Sequence, residues 1–267
     1  MSLLALIAAA SLSGPIDCQS REAVLDATRP VLAAWNAQKW EEAKSGADAV
    51  IAACGKAEGT EAAYALGSDL AYRDGDFASA LSLAQNVPRH GPSPLARLAG
   101  LTAVQSAIAL GDAEAAEREK LAVSAAIVAA LTFPDGPIRG RMLGGFAAGE
   151  NMVIAVEGDY KNGPFVRHLT FIVVPREPLE PLRTLMLTTS PASAMMDLEG
   201  VYAFDEYACD RHVLLDIIQS DHQPTYDEMR ARVEAHLTQP ADGISASSAG
   251  SGGACPMGVF LAPGFGS

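Results

Sequence analysis

A cysteine and two histidines late in the chain are residue types that can bind zinc. Cys209 and His212 are separated by two residues, a plausible spacing for a tetrahedral zinc site, and His222 and the distant Cys255 would supply the other ligands. Structural zinc sites normally have two closely spaced ligand pairs, and the sequence has no second pair. The sequence therefore favours a disulfide with two surface histidines over zinc, and it predicts no cofactor.

The same stretch is rich in carboxylates and histidines, namely Asp205, Glu206, Asp210, His212, Asp216, Asp221 and His222. Clustered carboxylates can raise one another's pKa and act as acid and base, or bind calcium through oxygen. The sequence has no Asp-x-Asp-x-Asp-Gly calcium loop, and a solvated acidic face is common in acidic proteins. A hydrolase or metal-dependent enzyme is the alternative function. A pocket that holds two or more of His168, Asp205, His212, Asp216 and His222 in contact with one another would favour it.

A glycine-rich run, residues 136–149, is the third segment with a possible chemical role. A phosphate cradle needs Gly-x-Gly-x-x-Gly or Gly-Lys-Ser/Thr where a strand leads into a helix, and neither pattern occurs here. A Gly-x-Ser-x-Gly elbow is also absent from the sequence, so Ser190 and Ser193 gain no support as nucleophiles. The run is interpreted as a loop or bulge ahead of a strand.

The region that carries the acidic residues has the alternating apolar pattern of strands. Its β-branched or aromatic runs are Met152 to Glu157, Phe165 to Val174, Arg183 to Thr189, Val201 to Tyr207 and His212 to Ile218. Strands with short connections usually pair as an antiparallel meander. A capping box at Thr225 predicts one late helix to about Leu237, with an apolar stripe that packs on the sheet.

Before this region, residues 34–128 repeat a helical-hairpin pattern. Three short segments, 38–43, 75–80 and 111–116, each lie between apolar stretches of helical composition, and their last alanines are 37 and 36 residues apart. Small residues that recur at equivalent positions are what close-packed helical hairpins need, because they let neighbouring helices approach each other. Ser20 is a candidate N-cap for the first helix, which Pro30 kinks or divides. The alternative is an ordinary helical bundle whose alanine-rich composition produces matching columns by chance.

The pattern resembles the tetratricopeptide repeat over about residues 28–128. The second unit matches best, through Tyr64, Ser68, Phe77, Ala80, Ala84 and Pro92. The longer spacing departs from the family's unit of about 34 residues. The first unit departs from the family pattern because Pro30 and Val31 replace its usual apolar residue and glycine. The third unit departs from it because Lys120 occupies a position that is normally apolar. The resemblance implies a protein-binding scaffold with a short groove for a peptide or partner helix, and its candidate binding residues are Tyr64, Ser68 and Tyr72.

The four cysteines suggest two disulfides. Cys18 precedes the first predicted helix and Cys54 ends the second, so a bridge between them would close the first hairpin. Cys209 and Cys255 would form the second bridge. Four cysteines allow three pairings, and four reduced, buried thiols are the alternative. An even count in this arrangement favours an oxidising compartment.

Residues 1–14 resemble a short secretory signal peptide, with an apolar run from Leu3 to Ala10 followed by small residues. No basic residue precedes this run, and a frayed or truncated N-terminus is the alternative. The run is about half of the ~20 residues that a membrane-spanning helix needs. The net charge of −13, from 19 basic and 32 acidic residues, makes nucleic acid and anionic membranes poor partners. The expected location is periplasmic or secreted, with a cytoplasmic location as the alternative.

Together these patterns predict a two-part α+β chain. Residues 20–131 form tetratricopeptide-like helical hairpins, and residues 137–238 form a domain of antiparallel strands with one late helix. The boundary is Phe133 to Pro137, and residues 240–267 are a Gly-, Ser- and Ala-rich tail. The last repeat helix is expected to pack on the sheet. The predicted function is an exported scaffold for a protein or peptide partner, without evident catalytic activity.

Overall fold

A computed structural model of the chain describes residues 15–88, 93–132, 138–160, 167–189, 200–208 and 211–238. The helices are α1 (Arg21–Asn36), α2 (Trp40–Cys54), α3 (Glu61–Arg73), α4 (Phe77–Ala84), α5 (Pro94–Leu110), α6 (Ala113–Thr132) and α7 (Tyr226–Thr238). The strands are β1 (Ile138–Ala148), β2 (Asn151–Tyr160), β3 (Arg167–Pro175), β4 (Arg183–Thr189), β5 (Val201–Ala208) and β6 (Arg211–Gln219). The predicted two-part α+β fold is confirmed. The signal-like segment, the boundary at 133–137 and the tail lie outside the described residues.

Helix α1 begins at the predicted cap and continues through its proline. The Ser20 hydroxyl oxygen accepts a hydrogen bond from the Ala23 amide at 3.2 Å. The expected division of the helix at Pro30 is wrong, because α1 runs unbroken to Asn36. Pro30 is exposed, so the carbonyl that it leaves without a helical donor can bond to water. Pro94 occupies the first turn of α5, where no intrahelical donor is needed.

Two of the three recurring segments, 75–80 and 111–116, begin with a turn that ends one helix and starts the next. Gly75 and Gly111 end α3 and α5 with φ of 78° and 70°, a conformation that favours glycine. The next residue in each case, Asp76 or Asp112, accepts a hydrogen bond from an amide in the following helix, at 3.1 and 3.0 Å. One glycine therefore stops a helix and one aspartate starts the next.

The first hairpin is closed by a disulfide. Cys18 and Cys54 are bonded, with their Cα atoms 5.2 Å apart, as predicted for the two ends of α1 and α2. Gly55, with φ of 55°, ends α2 directly after the second cysteine. The other predicted pair, Cys209 and Cys255, lies outside the described residues.

The six strands form one antiparallel sheet in chain order, β1 to β6. The interpretation of residues 136–149 as a loop is wrong for most of the run, because β1 occupies 138–148. A register shift between Met142 and Gly144 provides the expected bulge. Gly140 has a packing role, since a Cβ atom there would lie 1.8 Å from the Leu131 carbonyl oxygen. The alternation of apolar residues that indicates a strand is missing here, because glycines occupy the bulge and the position where β1 lies against Leu131.

Helices cover the sheet on both faces. On one face, α7 packs through Met229 and Val233 on a core that includes Phe171 and Leu185, which confirms the predicted stripe. On the other face, α6 packs on β1, β2 and β3. Its contacts there are mainly Val123, Ile127 and Leu131 against Val156, Ile172 and Val174. The last repeat helix thus packs on the sheet, as expected. None of the described helices is long and apolar enough to cross a lipid bilayer.

Candidate functional site

The structure places two of the three predicted groove residues inside the helical core. Tyr64 is 8% exposed and Ser68 is fully buried, with its hydroxyl donating to the Ala65 carbonyl at 2.7 Å. Tyr72 is half-buried, and its ring centroid lies 5.3 Å from that of Phe77. Ten consecutive residues of α3, 62–71, are buried, so every face of this helix is covered. Tyr64 and Ser68 therefore act as packing residues.

One contact within the predicted acidic cluster joins residues of two different strands. Asp205 on β5 and His212 on β6 lie 2.9 Å apart, measured from Oδ1 to Nε2. The Tyr207 ring stacks on the imidazole with centroids 4.3 Å apart. Burial raises the pKa of Asp205, and the contact with His212 opposes that rise only in part. The pair combines a buried carboxylate with a half-exposed imidazole, an arrangement that can transfer protons.

The other cluster members have separate partners. Asp216 bonds to Arg232 of α7 at 2.7 Å. His222 contacts Asp221 and Glu228, and Glu228 accepts from the Thr225 amide, which completes the predicted capping box. Across the described residues no three His, Cys, Asp or Glu side chains are placed to hold a metal ion. Cys209, Asp210 and Cys255 fall outside those residues, and the His168 side chain is not described.

A concave site lies at one end of the sheet, and we call it the end pocket. Its cavity of about 850 Å³ is of the size that holds a small molecule or a few peptide residues. Three segments surround it: the β1–β2 turn, the β3–β4 loop and the C-terminal end of α7. Its lining residues are Gly149, Glu150, Asn151, Arg176, Glu177, Pro178, Glu180, Arg183, Leu237 and Thr238.

A polar network holds Arg183 at the end pocket. Its guanidinium nitrogens lie 3.5 Å from Glu206 Oε1 and 3.4 Å from Asn151 Oδ1. Glu206 is buried within β5, and its other oxygen lies 2.8 Å from His236 Nε2 on α7. The buried carboxylate thus ties a strand arginine to the late helix, which restricts the orientation of the guanidinium.

The loop on the other side of the pocket is fixed by Lys120 of α6. Its ammonium donates to the carbonyl oxygens of Pro175, Glu177 and Glu180 at 3.2, 2.7 and 3.2 Å. Lys120 is 1% exposed, and this burial lowers its pKa. A single side chain from the helical half therefore shapes a wall of a pocket in the sheet half.

The sequence carries one signal for this site. Lys120 occupies a position where the repeat pattern requires an apolar residue, and a buried lysine needs partners. The partners of Lys120 are backbone carbonyls, so the sequence does not show which residues provide them. Arg183 appeared only as a strand residue and Glu206 only as a member of the acidic cluster. The contact between them depends on strand pairing, and the contact of Glu206 with His236 depends on the position of α7.

Comparisons of this chain with protein-family models, with curated proteins and with solved structures each found no match. Inference about its function therefore starts from the geometry of the end pocket and of the Asp205–His212 pair.

Proposed function

We propose that this chain is an exported peptide-binding scaffold that holds a short segment of a partner protein in the end pocket. The observation that carries the proposal is the fixation of two pocket walls by buried polar groups. Lys120 holds the β3–β4 loop, and the Glu206–His236 pair holds Arg183. A binding site with restricted walls loses less conformational entropy when it binds a ligand.

This proposal keeps the peptide partner expected from the sequence but moves its binding site. Tyr64 and Ser68 are buried, which leaves them little surface for a partner. The charged and polar lining of the end pocket suits the backbone and side chains of a peptide. We also propose that the helical half is tetratricopeptide-like, supported by its recurring turns, and that it positions the β3–β4 loop.

An oxidising compartment remains part of the proposal. The bonded Cys18 and Cys54 support it, because structural disulfides persist mainly in exported proteins. The acidic net charge of −13 is also expected to favour basic partner segments during encounter.

Panning a displayed library of random peptides against the purified protein tests the proposed function. Selected peptides are then measured by fluorescence anisotropy against Thr238→Trp and Thr238→Ser. Thr238 is exposed at the end of α7 and lines the pocket, so tryptophan would obstruct the cavity and serine would leave it open. We expect binding to the serine variant and loss of binding to the tryptophan variant. Failure to select any peptide, or equal binding to both variants, would contradict the proposal.

A second candidate function is acid–base catalysis by Asp205 and His212. The specific observation is their 2.9 Å contact, together with the raised pKa of the buried carboxylate. Hydrolysis of an activated ester, p-nitrophenyl acetate, tests this candidate. Catalysis by the pair predicts that His212→Gln loses the activity and that His222→Gln, which changes another exposed histidine, retains it. Equal activity in both variants would exclude a role for the pair in ester hydrolysis.

A further inference from the structure

The end pocket presents positive and negative groups on different segments. Arg183 comes from the first position of β4, whereas Glu177 and Glu180 come from the β3–β4 loop. A second pair, Arg176 and Glu150, lies across the exposed edge with 3.2 Å between its charged atoms. The charges of that pair compensate each other. The remaining charged residues that line the pocket are Arg183, which also contacts Glu206 at 3.5 Å, and the two loop glutamates.

Arg183 is suited to a carboxylate. A guanidinium has five N–H donors, and the two contacts to Glu206 and Asn151 are long, at 3.5 and 3.4 Å. The side chain is 21% exposed, so part of the fork reaches the cavity that it lines. Arginine binds carboxylates through two parallel hydrogen bonds, which lysine cannot reproduce.

The loop side of the pocket is suited to a cation. The carbonyl oxygens of Glu177 and Glu180 both contact one ammonium, that of Lys120, so the two backbones are held close together. Both glutamates are exposed. The C-terminal end of α7 at Leu237 and Thr238 adds the partial negative charge of its last carbonyls. Two carboxylates and a helix C-terminus together attract a basic group.

We infer that the end pocket recognises the C-terminal residue of a peptide when that residue is basic. The terminal carboxylate binds Arg183, and the basic side chain binds Glu177 and Glu180. This inference rests on the proposed peptide-binding function and adds the identity of the bound segment. It requires both a free carboxylate and a positive side chain on one residue.

Three defined peptides test the inference: N-acetyl-glycyl-glycyl-arginine with a free carboxylate, the same peptide as its C-terminal amide, and the citrulline analogue, which keeps the shape but loses the charge. Binding is measured by isothermal titration calorimetry with the full chain. We expect the amide and the citrulline peptide each to bind roughly tenfold to a hundredfold more weakly than the acid, the range for loss of a charged hydrogen bond.

Protein variants assign each preference to its residue. Arg183→Lys keeps the charge but not the two parallel hydrogen bonds, so it should reduce the preference for acid over amide. Glu177→Gln with Glu180→Gln should remove the preference for arginine over citrulline. Glu114→Gln, an exposed carboxylate on α6, is the matched control and should keep both. The ratio of two peptides' affinities is insensitive to a partial loss of folded protein, which separates recognition from stability.

The outcomes distinguish this inference from the proposed function. Equal binding of all three peptides would overturn recognition of a basic C-terminus while leaving peptide binding intact. Binding of library peptides but of none of the three would have the same meaning. Absence of binding by library and defined peptides alike would overturn both.

Discussion

The ammonium nitrogen of Lys120 lies 2.7 Å from the carbonyl oxygen of Glu177, although the two residues belong to different halves of the chain. The same nitrogen also donates to the carbonyl of Pro175, at the end of β3, and to that of Glu180 in the loop. An unpaired buried ammonium would cost several kcal/mol, and the carbonyls offset this cost. The charged group therefore acts as a link between helix α6 and the loop that borders the end pocket.

Lys120→Met tests this link. Methionine preserves much of the apolar stem but removes the donor shared by one buried and two partly buried carbonyls, so we expect the free energy of unfolding to fall by about 2–4 kcal/mol. Urea denaturation followed by circular dichroism measures the change. Lys56→Met, at an exposed position, is the control and should stay within about 0.5 kcal/mol of the parent protein. Equal stability of the two variants would contradict the role assigned to Lys120.

Two buried helix glycines are expected to respond in opposite ways to alanine. At Gly100 in α5 a Cβ atom would lie 2.6 Å from Val123 Cγ2 and 2.9 Å from its Cβ, so α6 would have to move. We expect Gly100→Ala to lower the free energy of unfolding by about 1–3 kcal/mol. At Gly67 in α3 the nearest atom would be 3.5 Å away, an ordinary contact. Gly67→Ala should therefore be neutral or gain up to about 1 kcal/mol from helix propensity.

Thermal and urea unfolding of both glycine variants measure these changes. A loss of stability in both would indicate that α3 has as little free space as α5. A gain in both would mean that α6 tolerates displacement at Val123.

The disulfide between Cys18 and Cys54 joins residues 36 apart in sequence. Closing a loop of this length restricts the unfolded chain by about 3–4 kcal/mol in the chain-entropy account. We expect the double variant Cys18→Ser and Cys54→Ser to lose about this much free energy of unfolding. Urea denaturation with and without reductant measures it, and the reductant should shift the parent protein toward the double variant. A reductant effect of the same size on the double variant would assign the shift to another bond.

The stability of the protein should depend on pH through Asp205. Burial raises the pKa of this carboxyl above its ordinary value of 3.8, so the folded state retains the proton to higher pH than the unfolded state. The stabilisation from this group is fully present below pH 3.8 and is lost as the pH rises through its folded pKa. Relative to Asp205→Asn, the parent protein should therefore become progressively less stable over that interval.

Urea denaturation at a series of pH values measures the difference between the parent protein and Asp205→Asn. Glu114→Gln is measured alongside it as an exposed carboxylate on α6. The role of Asp205 is contradicted if its variant follows the same pH dependence as the parent protein.

Local signals in the sequence predicted much of the fold. Arg183 to Thr189 is a strand with the predicted bounds, and the cap at Ser20 forms as expected, because each depends on neighbouring residues. Strand β1 was missed since Gly140 and Gly144 serve close approach and a bulge rather than an apolar face. A tyrosine at position 64 is compatible with a binding groove, but the burial of Tyr64 depends on how the neighbouring helices enclose α3.

The candidate site was less predictable than the fold. The Asp205–His212 contact lay within a predicted cluster, because two short strands joined by a tight connection bring such residues together. The end pocket combines a turn, a loop and a helix end that are far apart in sequence. Lys120 donates to the backbone carbonyl of Glu177, which is 57 residues away in sequence. Every residue type has such a carbonyl, so the sequence does not indicate which residue accepts the bond.

Each strand of the sheet pairs only with the strands next to it in the chain. Such pairing keeps the loops that must close during folding short, and short loops close with a small entropic cost. The helical hairpins are local in the same sense, since α1 to α6 contact mainly their near neighbours in sequence. A chain with this connectivity can assemble progressively as it is synthesised, and each new hairpin finds its partner already in place.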